Sequence, residues 1–131
     1  MNDRETSEEA VREEKENLLL LVASPLAWAL HLAVSYSTAA IHCAKASAHG
    51  GLLVPRVVIA ICTLLALAVI FVVGRRGYRS HRLGESPPPH DADTAEDRHR
   101  FLGFATLLLS GLSAVAVVFE ALPAIFIGSC H

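Results

Sequence analysis

Three stretches of the chain contain no Asp, Glu, Lys or Arg: Leu18 to Ala44, Val57 to Gly74 and Phe101 to Phe119. Within them apolar residues are not confined to one helical stripe or to alternate positions but run almost without a break. A helix needs about 20 such residues to cross about 30 Å of hydrocarbon, and each run is close to or above that length. Packed in water, three such helices would leave apolar surface on every face, with little chain left to cover it. The pattern therefore predicts an all-α fold, an integral membrane bundle of three transmembrane helices at 18–44, 52–74 and 101–128. The remaining segments are a tail at 1–17, a short loop at 45–51, a long loop at 75–100 and an end at 129–131.

Composition agrees with this division. Of 131 residues 53% are hydrophobic and 18% charged, and the charges are segregated from the apolar runs. The first 17 residues carry seven acidic groups, where a cleaved signal sequence would have a short basic region. The first helix is accordingly expected to be retained as an anchor.

Arg and Lys in short loops set orientation, and acidic residues contribute little. The 75–100 loop has Arg75, Arg76, Arg79, Arg82, Arg98 and Arg100, and the tail adds Arg4, Arg12 and Lys15. Opposite them stand only Lys45 and, at the membrane edge, Arg56. This bias predicts the N-terminus and the long loop inside, the short loop and the C-terminus outside.

The tail reads as a helix running into the membrane. Thr6 and Glu9 fit a capping box, and Glu8/Arg12 and Arg12/Glu16 have i,i+4 spacing. The 75–100 loop, with Pro87-Pro88-Pro89, is expected to be largely disordered. His81, His90 and His99 lie nine residues apart, a spacing that fits no compact metal site.

The apolar runs hide polar stripes. Ser24, Trp28, His31, Ser35, Thr38 and His42 follow steps of four and three along the first helix, so they share a face. Gly103, Thr106, Ser110, Ser113 and Glu120 form a second stripe in the third helix. Polar faces are unfavourable against lipid, and the simplest packing turns these two toward each other. His31 precedes Cys43 by 12 residues and Glu120 precedes Cys130 by 10, about 18 Å and 15 Å of helical rise. The two ionisable groups thus share a depth near mid-membrane and are expected to approach, directly or through a water or hydroxyl. Trp28, Ser35, Tyr36, Thr38 and Ser113 are the candidates for a supporting polar face, with Trp28 and Tyr36 equally well read as packing aromatics. Ionisable residues at such depth are functional candidates. The pair reads either as a hydrogen bond that fixes helix packing or as a proton relay, with a haem-ligating His31 as a further alternative. Arg56 enters the second helix from outside and either snorkels or reaches toward Glu120. Pro123 removes the hydrogen bond to the Phe119 carbonyl beside Glu120.

Three cysteines occur. Cys62, within the second run, reads as a small buried apolar residue. Cys43 and Cys130 close the first and third helices on the side assigned to the oxidising compartment, and a disulfide between them is expected. The competing reading is a metal site of His42, Cys43, Cys130 and His131, two thiolates and two imidazoles that suit copper or zinc. Adjacent helical residues diverge by about 100°, which works against His42 and Cys43 converging on one ion.

The segment from Pro25 through Trp28, His31 and Tyr36 to Cys43 resembles a group of small, uncharacterised bacterial membrane proteins whose genes lie beside those of haem-copper cytochrome oxidases. The stretch from Glu120 through Pro123 to Cys130 is similar to the same group's C-terminal signature. The resemblance covers the first and third helices. It implies a respiratory association in the bacterial inner membrane and assigns no role to His31, Tyr36 or Glu120. His131 stands outside the group's pattern.

No phosphate-binding glycine loop, convincing nucleophile–base spacing or sizeable outer domain is present, so no enzyme, and no nucleic-acid partner, is expected. The expected function is that of an accessory protein, a small subunit or assembly factor of a terminal oxidase, in contact with lipid and with oxidase subunits and without a cofactor of its own. The alternative is a thiol-redox or copper-handling membrane protein using Cys43 and Cys130. A proton or small-ion pathway through His31 and Glu120 is a third reading.

Overall fold

The computed structural model describes residues 2–45, 51–82 and 95–126. They form α1 (Asn2–Lys45), α2 (Leu53–Arg82) and α3 (Ala95–Phe126). Each of these helices is long and apolar enough to cross a membrane. All three pack on one another, α2 against α3 most extensively. Ser24 meets Ser110 and His31 meets Glu120, so α1 and α3 run parallel. The contacts of His31 with Thr63, and of Gly77 with Gly103, set α2 antiparallel to both.

The bundle is polar within and apolar without. Its buried apolar side chains are Ile59, Ala66, Ile70, Val73 and Val117 among the described residues. The buried polar set, Ser24, His31, Ser35, Arg100, Thr106, Ser110 and Ser113, is larger. Large apolar side chains such as Leu19, Leu64, Phe71 and Phe126 point outward. A water-soluble bundle would reverse this, because burying apolar area is its main driving force.

The helices extend beyond the apolar runs that predict them. α1 starts at Asn2 and continues unbroken through Pro25. Asp3 and Glu5 in its first turn and His42 and Lys45 in its last complement the helix dipole. Thr6 therefore sits inside the helix rather than capping it, and its hydroxyl donates back to the carbonyls of Asn2 and Asp3 at 2.9 and 3.2 Å. Arg12 and Glu16 form a loose, exposed pair at 4.0 Å, worth about 0.3–0.5 kcal/mol at most.

The larger correction concerns the long loop. α2 runs past residue 74 to Arg82, and α3 already begins at Ala95. Residues 75–82 and 95–100 are thus helical rather than disordered. The hydropathy pattern marks where apolar residues end, not where the helix ends. Once a helix is nucleated in the apolar run, Arg, Tyr and Ser extend it at little cost, and α2 tolerates Gly77 on the way. His90 and Pro87-Pro88-Pro89 lie outside the described residues.

Small residues let α2 and α3 approach closely. A Cβ placed on Gly77 would stand 3.0 Å from the Gly103 carbonyl oxygen, and one on Gly103 would stand 3.0 Å from that of Gly77. At Gly74 it would meet the Ser110 Cβ at 3.2 Å. The backbones are near contact here, as at small-residue helix interfaces in membranes.

Candidate functional site

The described buried positions of α3 fall at Arg100, Gly103, Thr106, Ser110, Ser113 and Val117, steps of three and four that put one face inward. Glu120 continues this face toward the C-terminal end of α3. On α1 the buried positions are Ser24, His31 and Ser35, and half-buried Trp28 lies between them. The two stripes meet at both ends of this segment.

At the contact farther from the C-terminal ends of α1 and α3, Ser24 Oγ and Ser110 Oγ are 2.8 Å apart. Ser110 commits its single hydroxyl hydrogen to the Thr106 carbonyl at 2.7 Å, so Ser24 donates and Ser110 accepts. Thr106 in turn donates to the Leu102 carbonyl at 2.7 Å.

At the contact nearer the C-terminal ends of α1 and α3, Glu120 receives two partners from α1. Trp28 Nε1–H donates to Glu120 Oε1 at 2.5 Å, and His31 Nδ1 lies 3.2 Å from Glu120 Oε2. The opposite ring nitrogen, His31 Nε2, is 2.9 Å from Thr63 Oγ1 on α2. Ser35 Oγ stands 3.5 Å from the same nitrogen. His31 thereby ties all three helices together, and its side chain is 1% exposed against 19% for Glu120.

Donor arithmetic fixes the protons of this cluster. Thr63 gives its one hydroxyl hydrogen to the Ile59 carbonyl at 2.7 Å, so toward His31 it can only accept. Nε2 therefore carries a hydrogen and donates. One further proton lies between Nδ1 and Oε2. With it on Nδ1 the pair is imidazolium and carboxylate, and with it on Oε2 the pair is neutral imidazole and carboxylic acid. Either way the pair carries no net charge, which is the inexpensive state for two ionisable groups held away from water.

Val117, fully buried, lies one turn below Glu120 and packs with Ala66 and Ile70 of α2. Ala27 and Trp28 of α1 pack against the same residues. Above the pair, all three helices line a cavity of about 370 Å³ that includes Glu120, Ser35, His42, Cys43, Arg56 and Pro123. His42 Nε2 is buried without a hydrogen-bond partner among the described residues.

Not every candidate joins the cluster. Tyr36 is 74% exposed and makes no contact with the His31–Glu120 pair, but it lines the open cavity above that pair together with Ser35 and Glu120. Thr38 is half-buried and faces the N-terminal end of α2 with His42 and Pro55. Ser113 is buried on the α3 face. Trp28 does more than pack, since its indole N–H holds one carboxylate oxygen. Arg56 lines the cavity above Glu120.

Thr63 is the residue that the sequence reading passes over. Its only signal is that it is the single hydroxyl in the apolar run Val57 to Gly74. Gly74 and Gly77, which make the α2 side of the close crossing, are visible in the sequence only as two glycines three residues apart.

Cys62 is the free cysteine of the described residues, half-buried in α2. Cys43 is disulfide-bonded, and Cys130 and His131 lie outside the described residues. A disulfide sulfur is not a thiolate, so Cys43 in this state does not supply the ligand that the site of His42, Cys43, Cys130 and His131 requires. Among the described residues no group of three or more His, Cys, Asp or Glu stands ready to hold a metal ion. His31 has neither ring nitrogen to spare for haem iron without giving up a bond to Thr63 or Glu120.

The chain matches no protein-family model, no curated protein and no solved structure. The functional reading of this cluster accordingly rests on its geometry and on the sequence.

Proposed function

We propose that the chain is a non-enzymatic accessory protein of the bacterial inner membrane, a small subunit or assembly factor of a respiratory haem-copper cytochrome oxidase. Its three helices cross the bilayer with the N-terminus inside and the C-terminus outside. The observation that carries the accessory reading is the self-contained polar core. Both ring nitrogens of His31 and both oxygens of Glu120 are used within the bundle, while the large apolar side chains face outward. Such a chain spends its polar chemistry on its own packing and offers apolar helix faces to lipid and to the helices of a partner. The respiratory part is supported by the resemblance of the Pro25–Cys43 and Glu120–Cys130 segments, and the orientation by the arginines at 75–82.

Purification of the tagged chain from native membranes in mild detergent tests this. Oxidase subunits recovered in fixed proportion are expected. Recovery of the chain alone would remove the oxidase from the proposal and leave a membrane bundle without an assigned partner.

The proposed disulfide joins Cys43 to Cys130. It is supported by the bonded state of Cys43 and the free state of Cys62 in a chain of three cysteines. Alkylation of the denatured, unreduced protein is expected to label Cys62 alone, and reduction should expose all three thiols. Labelling of Cys43 before reduction would refute the bridge.

A second reading, thiol-redox or copper handling through Cys43 and Cys130, has one observation in its favour: Cys43 and His42 line the same cavity. It gains if Cys43→Ser lowers copper loading of the oxidase while the protein stays folded.

A further inference from the structure

A groove of about 660 Å³ runs along the bundle between α2 and α3, with no contribution from α1. Its floor is made of small residues, Gly74, Gly111 and Ala114, and it extends from Leu67 to Tyr78, about 17 Å of helical rise. Arg75 and Tyr78 stand at one end. They follow the apolar run within about 6 Å, the depth of the headgroup layer.

Charge is concentrated at that same end. Arg75, Arg76, Arg79 and Arg82 are all exposed on the extension of α2, and the Arg82 guanidinium lies 5.5 Å from the centre of the Tyr78 ring. Arg75, Arg76 and Arg79 form no ion pair among the described residues. A run of arginines just beyond a spanning helix attracts anionic lipid, and a guanidinium matches a phosphate with two parallel hydrogen bonds.

We propose that this groove is a binding site for one phospholipid with an anionic headgroup. An acyl chain lies along the glycine and alanine floor, and the phosphate sits at Arg75 beside the Tyr78 hydroxyl. Arg79 and Arg82 favour a headgroup with net negative charge over a zwitterionic one. The proposal rests on the membrane reading above, but it does not depend on the oxidase.

The test uses the full chain in mild detergent, titrated with phosphatidylglycerol or phosphatidylcholine and weighed by native mass spectrometry. A carbonate wash of the source membranes comes first, because release of the chain there would defeat the membrane reading rather than the site. The expected result is one retained phosphatidylglycerol, with phosphatidylcholine held at least ten-fold more weakly. Arg75→Gln should weaken retention about five-fold, and Arg76→Gln, outside the groove, should weaken it less. Gly111→Leu should abolish it, since a Cβ there meets nothing within 4 Å and the added side chain enters the groove without disturbing the helix crossing. Equal retention of the two lipids would overturn the proposal, and so would a folded Gly111→Leu that still holds phosphatidylglycerol. Should that variant misfold, an unchanged preference in Arg75→Gln overturns it equally.

Discussion

Glu120→Ala is expected to destabilise the bundle by about 2–4 kcal/mol, whereas Glu120→Gln should cost under about 1 kcal/mol. The alanine removes the acceptors of both Trp28 and His31 and leaves an indole N–H and an imidazole nitrogen buried without partners. Hydrogen bonds between membrane helices average only about 0.6 kcal/mol, so two lost bonds would give a small effect by themselves. The stranded His31, 1% exposed, raises it, because removing one member of a buried pair leaves the other uncompensated.

The glutamine is a sharper probe. Because Nε2 of His31 donates to Thr63, a neutral His31 presents Nδ1 as an acceptor. The amide introduced by Glu120→Gln matches that arrangement: its oxygen accepts from Trp28 and its NH₂ donates to Nδ1. Denaturation in mixed micelles, followed by helical circular dichroism and by the emission of Trp28, the sole tryptophan, measures both variants. Wild-type stability in Glu120→Ala would show that the network contributes nothing to packing. If Glu120→Gln falls as far as the alanine, His31 holds protons on both nitrogens and opposes the amide with a donor. If instead the glutamine variant stays folded but the oxidase loses activity or assembly, the shared proton has a role that the accessory reading does not contain.

The legible part of the site came from periodicity. Ser24, His31 and Ser35 on one helix and Thr106, Ser110 and Ser113 on another recur at helical steps, and depth counted from the outer ends put His31 opposite Glu120. The structure holds those two 3.2 Å apart. Tyr36, 74% exposed, lies beside the cavity above Glu120 rather than in the hydrogen-bonded cluster, because neighbouring residues diverge on a helix. Thr63 was illegible because a lone hydroxyl in an apolar helix ordinarily just bonds its own preceding turn, as Thr63 does with Ile59. Only the position of His31 across the interface gives it a second use. The helical stretches 75–82 and 95–100 were hidden for a different reason: charge reports where the apolar layer ends, and the backbone continues regardless.

The glycine crossing carries the second large effect. Gly103→Val is expected to destabilise by about 2–3 kcal/mol, while Gly111→Ala, on the same helix, should be neutral or stabilise by up to about 1 kcal/mol. Both exchanges improve helix propensity or nearly so, and they differ in what the new carbon meets. At Gly111 it meets nothing within 4 Å. At Gly103 it meets the Gly77 carbonyl oxygen at 3.0 Å and the His81 amide nitrogen at 3.1 Å, backbone atoms that cannot turn aside as a side chain would. The helices must separate, and the cost spreads along the interface toward Ser110. Gly77→Ala and Gly103→Ala should each destabilise, but the double variant should lose less than their sum, because the first substitution already opens the gap that the second needs. The same detergent denaturation measures this. Strict additivity would mean that the two glycines are not facing each other in the membrane-embedded chain.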